Sequence, residues 1–294
     1  MPELPEVETI KKDLEKNVIG RKITDVKFLW NGILRGVSES EFKGKVIGKE
    51  IANVERRAKN LNIKLDGKDL NLLFHMKMTG HLILTDDSWQ VDTNGKWIVQ
   101  NHAESPLVDP LNQYIRAIFY LDGDKILAFS DLRKFAYIKL LTDDELKKVF
   151  DEYGPEPFSP EFTKEYLSNI FAPKNIAIKK VLMDQKLVAG IGNIYADEIL
   201  WEAKVHPLKK AKDLNQEEVS DIYIAILKIL KKAVEMRGTS TSDFRDTEGK
   251  KGKYGDVRNV YRRTGEPCPR DGTPIERISV GDRGTHFCPT CQKR

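Results

Sequence analysis

The sequence predicts an α+β protein of several domains: an amino-terminal helix with an antiparallel β-sandwich, a helical domain, and a small metal-bound hairpin. Short apolar runs separated by Gly and Asp turns fill residues 22–141, a spacing typical of an antiparallel sandwich or barrel. Apolar residues three or four positions apart follow in residues 161–236, and all 3 cysteines come after them. A chain of 294 residues is long enough for two or three domains, each with its own core.

Composition excludes several classes of protein. The chain has no long apolar run and its first residues are acidic, so we expect neither a membrane span nor a signal peptide. The cysteines all lie in residues 268–294, which argues against a disulfide framework and for metal ligands or reduced thiols. Residues 237–294 carry 13 Lys and Arg against 8 Asp and Glu. This excess favours a polyanion such as nucleic acid as the partner, although a solvated basic tail has the same composition.

The first element is a helix over residues 2–18, with acidic residues in its early turns and lysines later. Its apolar residues are Leu4, Val7, Ile10, Leu14 and Val18. Strands are expected at residues 23–28, 61–65, 82–85, 117–121 and 126–129. The polar stretch 89–111 has no clear period and predicts a long loop or an inserted hairpin.

Three prolines within residues 154–160 predict a linker, after which helical spacing dominates. Helices are expected at residues 161–171, 175–183, 193–203 and 214–236. The chain therefore divides into a sandwich domain (1–153), the linker (154–160), a helical domain (161–237), a basic Gly-rich loop region (238–262) and a zinc-finger segment (263–294).

The amino terminus carries a candidate nucleophile. Removal of Met1 would expose Pro2 as a secondary amine, and the reference pKa of an α-amino group is near ~8 against about 10.4 for Lys. Such an amine can attack a sugar aldehyde carbon and form an iminium ion, with the neighbouring Glu3 as acid or base. The alternative is that proline and acids at this position only favour helix initiation.

The carboxy terminus carries a candidate metal site. Cys268 and Asp271 form one CxxD pair, and Cys288 and Cys291 form a CxxC pair, which is the spacing of a zinc ribbon apart from the aspartate. Three thiolates and one carboxylate can hold zinc tetrahedrally. His286 is a rival fourth ligand, and a ribbon that has lost its metal is the alternative.

A third feature is the turn Gly190-Ile-Gly192 ahead of Asn193, which would begin a helix. Exposed backbone N–H groups at a helix amino terminus form a suitable seat for a phosphate. An ordinary turn between helices explains the glycines equally well.

Seven motifs together resemble the bacterial formamidopyrimidine-DNA glycosylase family, and the resemblance covers nearly the whole chain. They are MPELPEVET at the start, RRAKNL around Lys59, HMKMTG at 75–80, DLRKF at 131–135, GPEP at 154–157, MDQKLVAGIGNIYADE, and RGTHFCPTCQ near the end. The related endonuclease VIII branch, which prefers oxidised pyrimidines, typically has Gly where this chain has Leu4. That difference favours the purine-directed branch.

The resemblance implies an amino-terminal catalytic helix on a β-sandwich, a helix-two-turns-helix DNA-binding domain, and a zinc-ribbon β-hairpin. It implies a bifunctional DNA glycosylase and AP lyase that excises 8-oxoguanine and formamidopyrimidines from damaged duplex DNA bound in a basic cleft. One structural zinc per chain is expected and no other cofactor. We expect a monomer in the bacterial cytoplasm, associated with the nucleoid.

The resemblance also assigns roles to residues. The catalytic residues it implies are Pro2, Glu3, Glu6, Lys59 and Arg283. The residues expected to fill the space left by the flipped nucleotide are Met78, Arg133 and Phe135. Phosphate contacts are expected from His75, Lys174, Lys179 and Asn193. A loop over residues 239–254, which includes Arg245 as a DNA contact, is expected to close over the lesion.

Two departures from the family pattern stand out. Asp271 replaces the second zinc cysteine, which puts the metal affinity in doubt. A lysine-histidine-aspartate-histidine stretch is replaced by residues 111–114, after the longer 89–111 insertion. Asn112 could still donate to a phosphate there.

Three alternatives stay open at this point. The same chemistry could act on oxidised pyrimidines, or the chain could bind damaged DNA or abasic sites without catalysis if Met1 were retained. A zinc-ribbon RNA-binding protein would explain the tail but not the Pro2-Glu3 pair together with Lys59.

Overall fold

The computed structural model describes residues 1–98, 104–240 and 243–293. Residues 99–103 of the expected insertion, residues 241–242 of the expected lesion loop, and Arg294 of the expected zinc-finger segment lie outside the described residues. The chain forms two compact units, Met1–Phe150 with Met236–Gly255, and Asp151–Glu235 with Asp256–Arg294. The sequence did not predict that Met236–Gly255, hereafter the return segment, rejoins the first unit.

The first unit contains two sheets and the helices that flank them. Its helices are α1 (Leu4–Asn17), α2 (Glu39–Val46) and α3 (Asp143–Asp151), the last of which crosses into the second unit by one residue. Its strands are β1 (Ile23–Phe28), β2 (Leu34–Arg35), β3 (Ile51–Arg57), β4 (Asn60–Leu65), β5 (Asn71–His75), β6 (His81–Asp86), β7 (Gln90–Val91), β8 (Trp97–Ile98), β9 (Ile115–Leu121), β10 (Lys125–Ser130) and β11 (Tyr137–Leu141). One sheet has the order β1-β9-β10-β6 and is antiparallel. The other has the order β2-β11-β5-β4-β3, with β2 and β11 parallel.

The two sheets share one apolar core, which confirms the predicted sandwich. Phe74 of β5 meets Phe119 and Phe129 of the other sheet, with ring centroids 5.9 Å and 5.7 Å away. Helix α1 adds its regularly spaced apolar side chains to the same core. The amino-terminal residues are therefore carried by a helix that is fixed along its buried face.

The four-stranded sheet is buried on both faces. Along β9, Phe119 faces the shared core whereas its neighbour Ile118 faces a second cluster. That cluster is closed by Trp89, Trp97 and Leu107 of the insertion, with the two indole rings packed edge to face at 5.6 Å. Strands β7 and β8 pair as a hairpin. Of the two forms predicted for this stretch, a long loop or an inserted hairpin, the structure therefore shows a hairpin.

The second unit is helical with a carboxy-terminal hairpin. Its helices and strands are α4 (Lys164–Phe171), α5 (Ile178–Met183), α6 (Asn193–Glu202), α7 (Gln216–Glu235), β12 (Glu276–Val280) and β13 (Arg283–Phe287). Helix α6 is buried along most of its length and contacts α5, α7 and β13. Its fully buried Glu198 accepts the backbone N–H groups of Asn259, Val260 and Tyr261 at 2.8–2.9 Å, which fixes the chain as it enters the zinc-finger segment. Within the described ranges, none of the helices has the length and apolar character needed to cross a bilayer.

The core packing predicts the effect of one substitution. Phe119 is 1% exposed, so Phe119→Ala should lower the free energy of unfolding by about 3–5 kcal/mol through the cavity it creates. Phe135→Ala removes the same ring from a position that is 50% exposed and should change stability by less than about 0.5 kcal/mol. Urea denaturation of the full chain measures both, and equal losses would contradict the packing described.

Candidate functional site

The amino terminus is held by a reciprocal capping arrangement at the start of α1. Glu3 is the N-cap residue, and its carboxylate accepts the backbone N–H of Glu6. The Glu6 carboxylate accepts the backbone N–H of Glu3 at 2.8 Å. Because Pro2, Glu3 and Glu6 are all buried, the two carboxylates occupy fixed positions directly after the candidate nucleophile.

Several charged groups act on the terminal amino group, which in this chain belongs to Met1. Burial lowers the pKa of this amine, the carboxylates of Glu3, Glu6 and Asp243 raise it, and the Lys59 ammonium lowers it. Burial is the largest of these effects, so the pKa of this amine lies below its ordinary value.

Lys59 reaches this site from a tight turn. Strands β3 and β4 pair as far as Arg57 and Asn60, which leaves Ala58 and Lys59 as the two turn residues. Ala58 has a φ of 54°, in the left-handed region that such a turn requires. Only 7% of Lys59 is exposed, so the turn points a largely buried cation toward the amino terminus.

His75 lies at the end of β5, where it pairs with Asn60 on one side and Tyr137 on the other. Its Nδ1 accepts the backbone N–H of Lys77 at 3.0 Å. Burial, and to a smaller extent the charges of Lys77 and Lys59, lower the pKa of His75 to about 3. The ring is therefore neutral with its hydrogen on Nε2, and it can donate to an anion without carrying charge.

The structure brings Met78, Arg133 and Phe135 together on the surface of the first unit. Met78 and Phe135 are exposed, and the Arg133 Nη1 donates to the Met78 sulfur at 3.0 Å. The Arg133 guanidinium lies 4.7 Å from the Phe135 ring centroid. A thioether, a cation and an aromatic ring thus form one exposed cluster, which suits insertion into a base stack.

Asp131 organises this cluster, and sequence reasoning missed it. Its fully buried carboxylate accepts the Thr79 hydroxyl, the Arg133 N–H at 3.2 Å and the Ala136 N–H at 2.8 Å. It therefore joins the loops that carry Met78 and Arg133. The sequence did contain a signal for this role, namely an aspartate at the start of a polar loop, because aspartate side chains commonly accept backbone N–H groups in such turns.

One expected DNA contact, Asn112, lies inside the first unit. Asn112 is fully buried, and its Nδ2 donates to the carbonyl oxygens of Pro106 and Gly249 at 2.8 Å and 3.1 Å. Its Oδ1 lies 2.9 Å from the Nε2 of His81. The amide is committed inside the first unit, so it does not face a phosphate.

Two residues expected to contact DNA through their positive charge, Lys179 and Arg245, are also buried. Lys179 is fully buried, with its ammonium 2.6 Å from Asp197 and 2.7 Å from the Thr285 hydroxyl. Arg245 is 3% exposed and donates to Asp109 at 2.8 Å. Lys179 compensates the buried Asp197 carboxylate and Arg245 pairs with the partly buried Asp109 carboxylate, a use that a basic residue in a sequence does not reveal.

The remaining expected DNA contacts belong to the second unit. Asn193 is the first residue of α6, as predicted, and its Nδ2 donates to the Gly284 carbonyl at 3.1 Å. The Gly190 N–H donates to the side chain of Gln185 at 2.8 Å, so the helix start rather than this glycine is the candidate phosphate seat. Lys174 is partly exposed and Arg283 is exposed at the start of β13.

The four predicted metal ligands come together. Their ligand atoms, from Cys268, Asp271, Cys288 and Cys291, all lie within 4.8 Å of one another. Three sulfurs and one carboxylate oxygen at such distances fit a tetrahedral structural zinc. The Nδ1 of His286 lies instead 3.1 Å from Asp197, so the structure places Asp271 rather than His286 as the fourth candidate ligand.

Comparisons with known proteins match three successive parts of the chain. Residues 1–138 match the formamidopyrimidine-DNA glycosylase N-terminal domain, residues 153–245 its H2TH domain, and residues 265–294 a zinc finger found in FPG and IleRS. A formamidopyrimidine-DNA glycosylase of Herpetosiphon aurantiacus is 37% identical over 293 residues, which are 99% of this chain and 100% of that protein.

Solved structures show the same likeness. The Lactococcus lactis Fpg in complex with DNA containing an abasic site has a TM-score of 0.85 and 32% identity, covering 99% of this chain and 100% of that one. MutM in complex with DNA containing carbocyclic 8-oxo-G has a TM-score of 0.84 and 33% identity, covering 100% of both chains.

The ligand assignment predicts metal content. Asp271→Ala should lower the zinc content from about one per chain, because it removes one of four ligands and so weakens metal affinity. His286→Gln is the matched control and should keep the zinc. Elemental analysis of the purified variants measures both, and loss of zinc in the His286 variant alone would reverse the assignment.

The neutral state of His75 predicts a pH effect on stability. The unfolded chain takes up a proton near pH 6.5 but the folded chain only near pH 3, so stability falls as the pH falls between these values. Between neutral pH and about pH 5 the free energy of unfolding should fall by about 2 kcal/mol because of His75. His75→Gln should lose that much less stability over this range, as measured by urea denaturation, whereas equal losses would exclude a neutral His75.

Proposed function

The chain belongs to the formamidopyrimidine-DNA glycosylase family, and on this premise we propose that Pro2, freed by removal of Met1, is its nucleophile. The protein is a bifunctional DNA glycosylase and AP lyase. Its proposed substrates are oxidised purines in duplex DNA, namely 8-oxoguanine and formamidopyrimidines, because similar proteins have been solved with DNA containing Fapy-dG and carbocyclic 8-oxo-G. The observation that supports the proposal best is the capping arrangement, which places the Glu3 and Glu6 carboxylates beside the amino terminus.

The chemistry begins at the sugar. The Pro2 nitrogen forms a bond to C1′, the glycosidic bond breaks, and the base leaves with the electron pair and takes up a proton. Glu3 protonates the ring oxygen as the sugar opens, which leaves an iminium ion between Pro2 and C1′. Loss of a proton from C2′ then expels the 3′ phosphate, a second elimination expels the 5′ phosphate, and water releases Pro2.

Cationic residues assist these steps. Lys59 is buried near the amino terminus, where it can hold a phosphate and assist the first elimination. Arg283 is proposed for the second elimination. Further phosphate contacts are proposed for His75, Lys174 and Asn193. Such contacts position the backbone and carry no information on the base.

Extrusion of the damaged nucleotide costs a few kcal/mol, and the vacated space must be filled. The exposed cluster of Met78, Arg133 and Phe135 is proposed for this role. The Arg133 guanidinium can donate to the base left without a partner, while Phe135 wedges the stack. Selection among lesions is proposed for residues 239–254, part of the return segment.

Zinc bound by Cys268, Asp271, Cys288 and Cys291 would stabilise the hairpin that carries Arg283. It would supply no step of the reaction. The macromolecular partner is damaged duplex DNA. We propose that the protein acts as a monomer on the bacterial chromosome in the cytoplasm. The family match covers both ends of the chain, so a non-catalytic binder and an RNA-binding ribbon are not favoured.

Borohydride trapping tests the nucleophile. With duplex DNA containing 8-oxoguanine opposite cytosine, the wild type should give a covalent adduct that maps to Pro2, because reduction fixes the iminium bond. A variant with one uncleaved residue ahead of Pro2 should give none, and Pro2→Gly should trap about tenfold less. An adduct with abasic DNA alone would reject the lesion class, and the absence of both adducts would reject the nucleophile.

A further inference from the structure

The return segment starts against the helix that carries the nucleophile. The backbone N–H of Thr239 donates to Glu6 at 2.6 Å, and the Arg237 guanidinium binds Asp13 of α1 through two bonds of 2.6 Å and 3.0 Å. Gly238 has a φ of +79°, and a Cβ there would lie 2.7 Å from the Glu6 carboxylate. The start of the segment is therefore fixed tightly beside the amino terminus.

The insertion holds the same segment further along. The Arg245 Nη2 and Nε both donate to one oxygen of Asp109, at 2.8 Å and 3.1 Å. The other oxygen of Asp109 accepts the Leu111 N–H at 2.9 Å, which fixes the carboxylate. At Gly249 the carbonyl accepts Asn112 Nδ2, and a Cβ would lie only 2.6 Å from that nitrogen.

The part of the segment between these contacts is a closed turn. Asp246 accepts the N–H groups of Glu248 and Lys250 at 3.0 Å and 2.9 Å, and its own N–H donates to Lys250. The Thr247 carbonyl accepts the Leu84 N–H of β6 at 2.8 Å. Because the turn is internally bonded, a shift at Arg245 moves it as a unit.

Arg245 also donates to the Phe244 carbonyl at 2.8 Å. A buried guanidinium that loses the negative charge of its carboxylate is nevertheless destabilised, because a neutral partner compensates its charge less than an anion does. Arg245 would then have to move toward solvent and draw the turn away from Asp109. The contact between these two residues therefore helps to hold the turn in place, together with the bonds that Arg237 and Thr247 make to Asp13 of α1.

We propose that residues 104–112 of the insertion are a positioning element for base excision, and that Asp109 acts on the reaction through Arg245. This rests on the proposed function, in which Pro2 attacks C1′. A base attached to the same carbon must lie against groups that flank the amine, and the charge of Asp243 from the return segment acts on that amine. An abasic site has no base to hold, so its cleavage does not need the segment in place.

Asp109→Asn tests the proposal, since it keeps the oxygen that caps Leu111 and removes the charge that binds Arg245. Single-turnover excision of 8-oxoguanine should slow roughly ten- to a hundredfold, as expected for a misplaced positioning group, while cleavage of abasic DNA stays within about twofold. Asp87→Asn removes the same charge from an exposed position next to the insertion and should change neither rate.

Two further measurements separate this proposal from a general loss of structure. Arg245→Met should have the same selective effect on base excision as Asp109→Asn, and the double variant should be no slower than either single one. Hydrogen exchange of the amides in residues 246–250 should accelerate in Asp109→Asn but not in Asp87→Asn. Equal slowing of both reactions, additive effects, or unchanged exchange would each overturn the proposal.

Failure of this proposal can be distinguished from failure of the proposed function. If the wild type does not excise 8-oxoguanine, the lesion class fails, and the same variants are then compared on the base that it does excise from a panel with formamidopyrimidine and oxidised pyrimidine. The exchange measurement needs no substrate, so it tests the anchoring of the return segment in either case.

Discussion

The arrangement of the site in the first unit depends on the hydrogen bonds of the Glu6 carboxylate. One oxygen accepts the Glu3 N–H at the start of α1 and the other accepts the Thr239 N–H from a part of the chain more than two hundred residues away. A carboxylate that accepts buried N–H groups forms strong bonds in fixed directions. The start of the helix and the start of the return segment are therefore joined at a single side chain.

A second constraint follows from the double burial of the four-stranded sheet. Strands β9 and β10 are apolar on both faces, and the outer face has to be covered for the sheet to be stable. The insertion provides this cover through Trp89, Trp97 and Leu107. The same stretch ends in Asp109 and Asn112, so the residues that contact the return segment rest on a packed layer rather than on a loose loop.

Much of this was predictable from local patterns. The spacing of apolar residues predicted α1, five strands of the sandwich (β1, β4, β6, β9 and β10) and α6, because each signal lies within a few residues. It did not identify β3, β5 and β11 of the other sheet. The cysteine and aspartate spacing predicted the metal site in the same way. The return of Met236–Gly255 to the first unit was not predictable, since it depends on Arg237 and Thr239 meeting partners on α1 that no local pattern specifies.

The distinction between features set by local sequence patterns and features set by distant partners applies to charge as well. Lys179 and Arg245 count as basic residues in the composition, but their cations are compensated by Asp197 and Asp109 inside the protein. His75 is neutral and contributes a donor without a charge. Counterion release on DNA binding depends only on cations that reach phosphates, so the salt dependence of binding reflects exposed groups such as Arg133 and Arg283. The number of basic residues in the sequence thus overstates the number of cations that can contact phosphates.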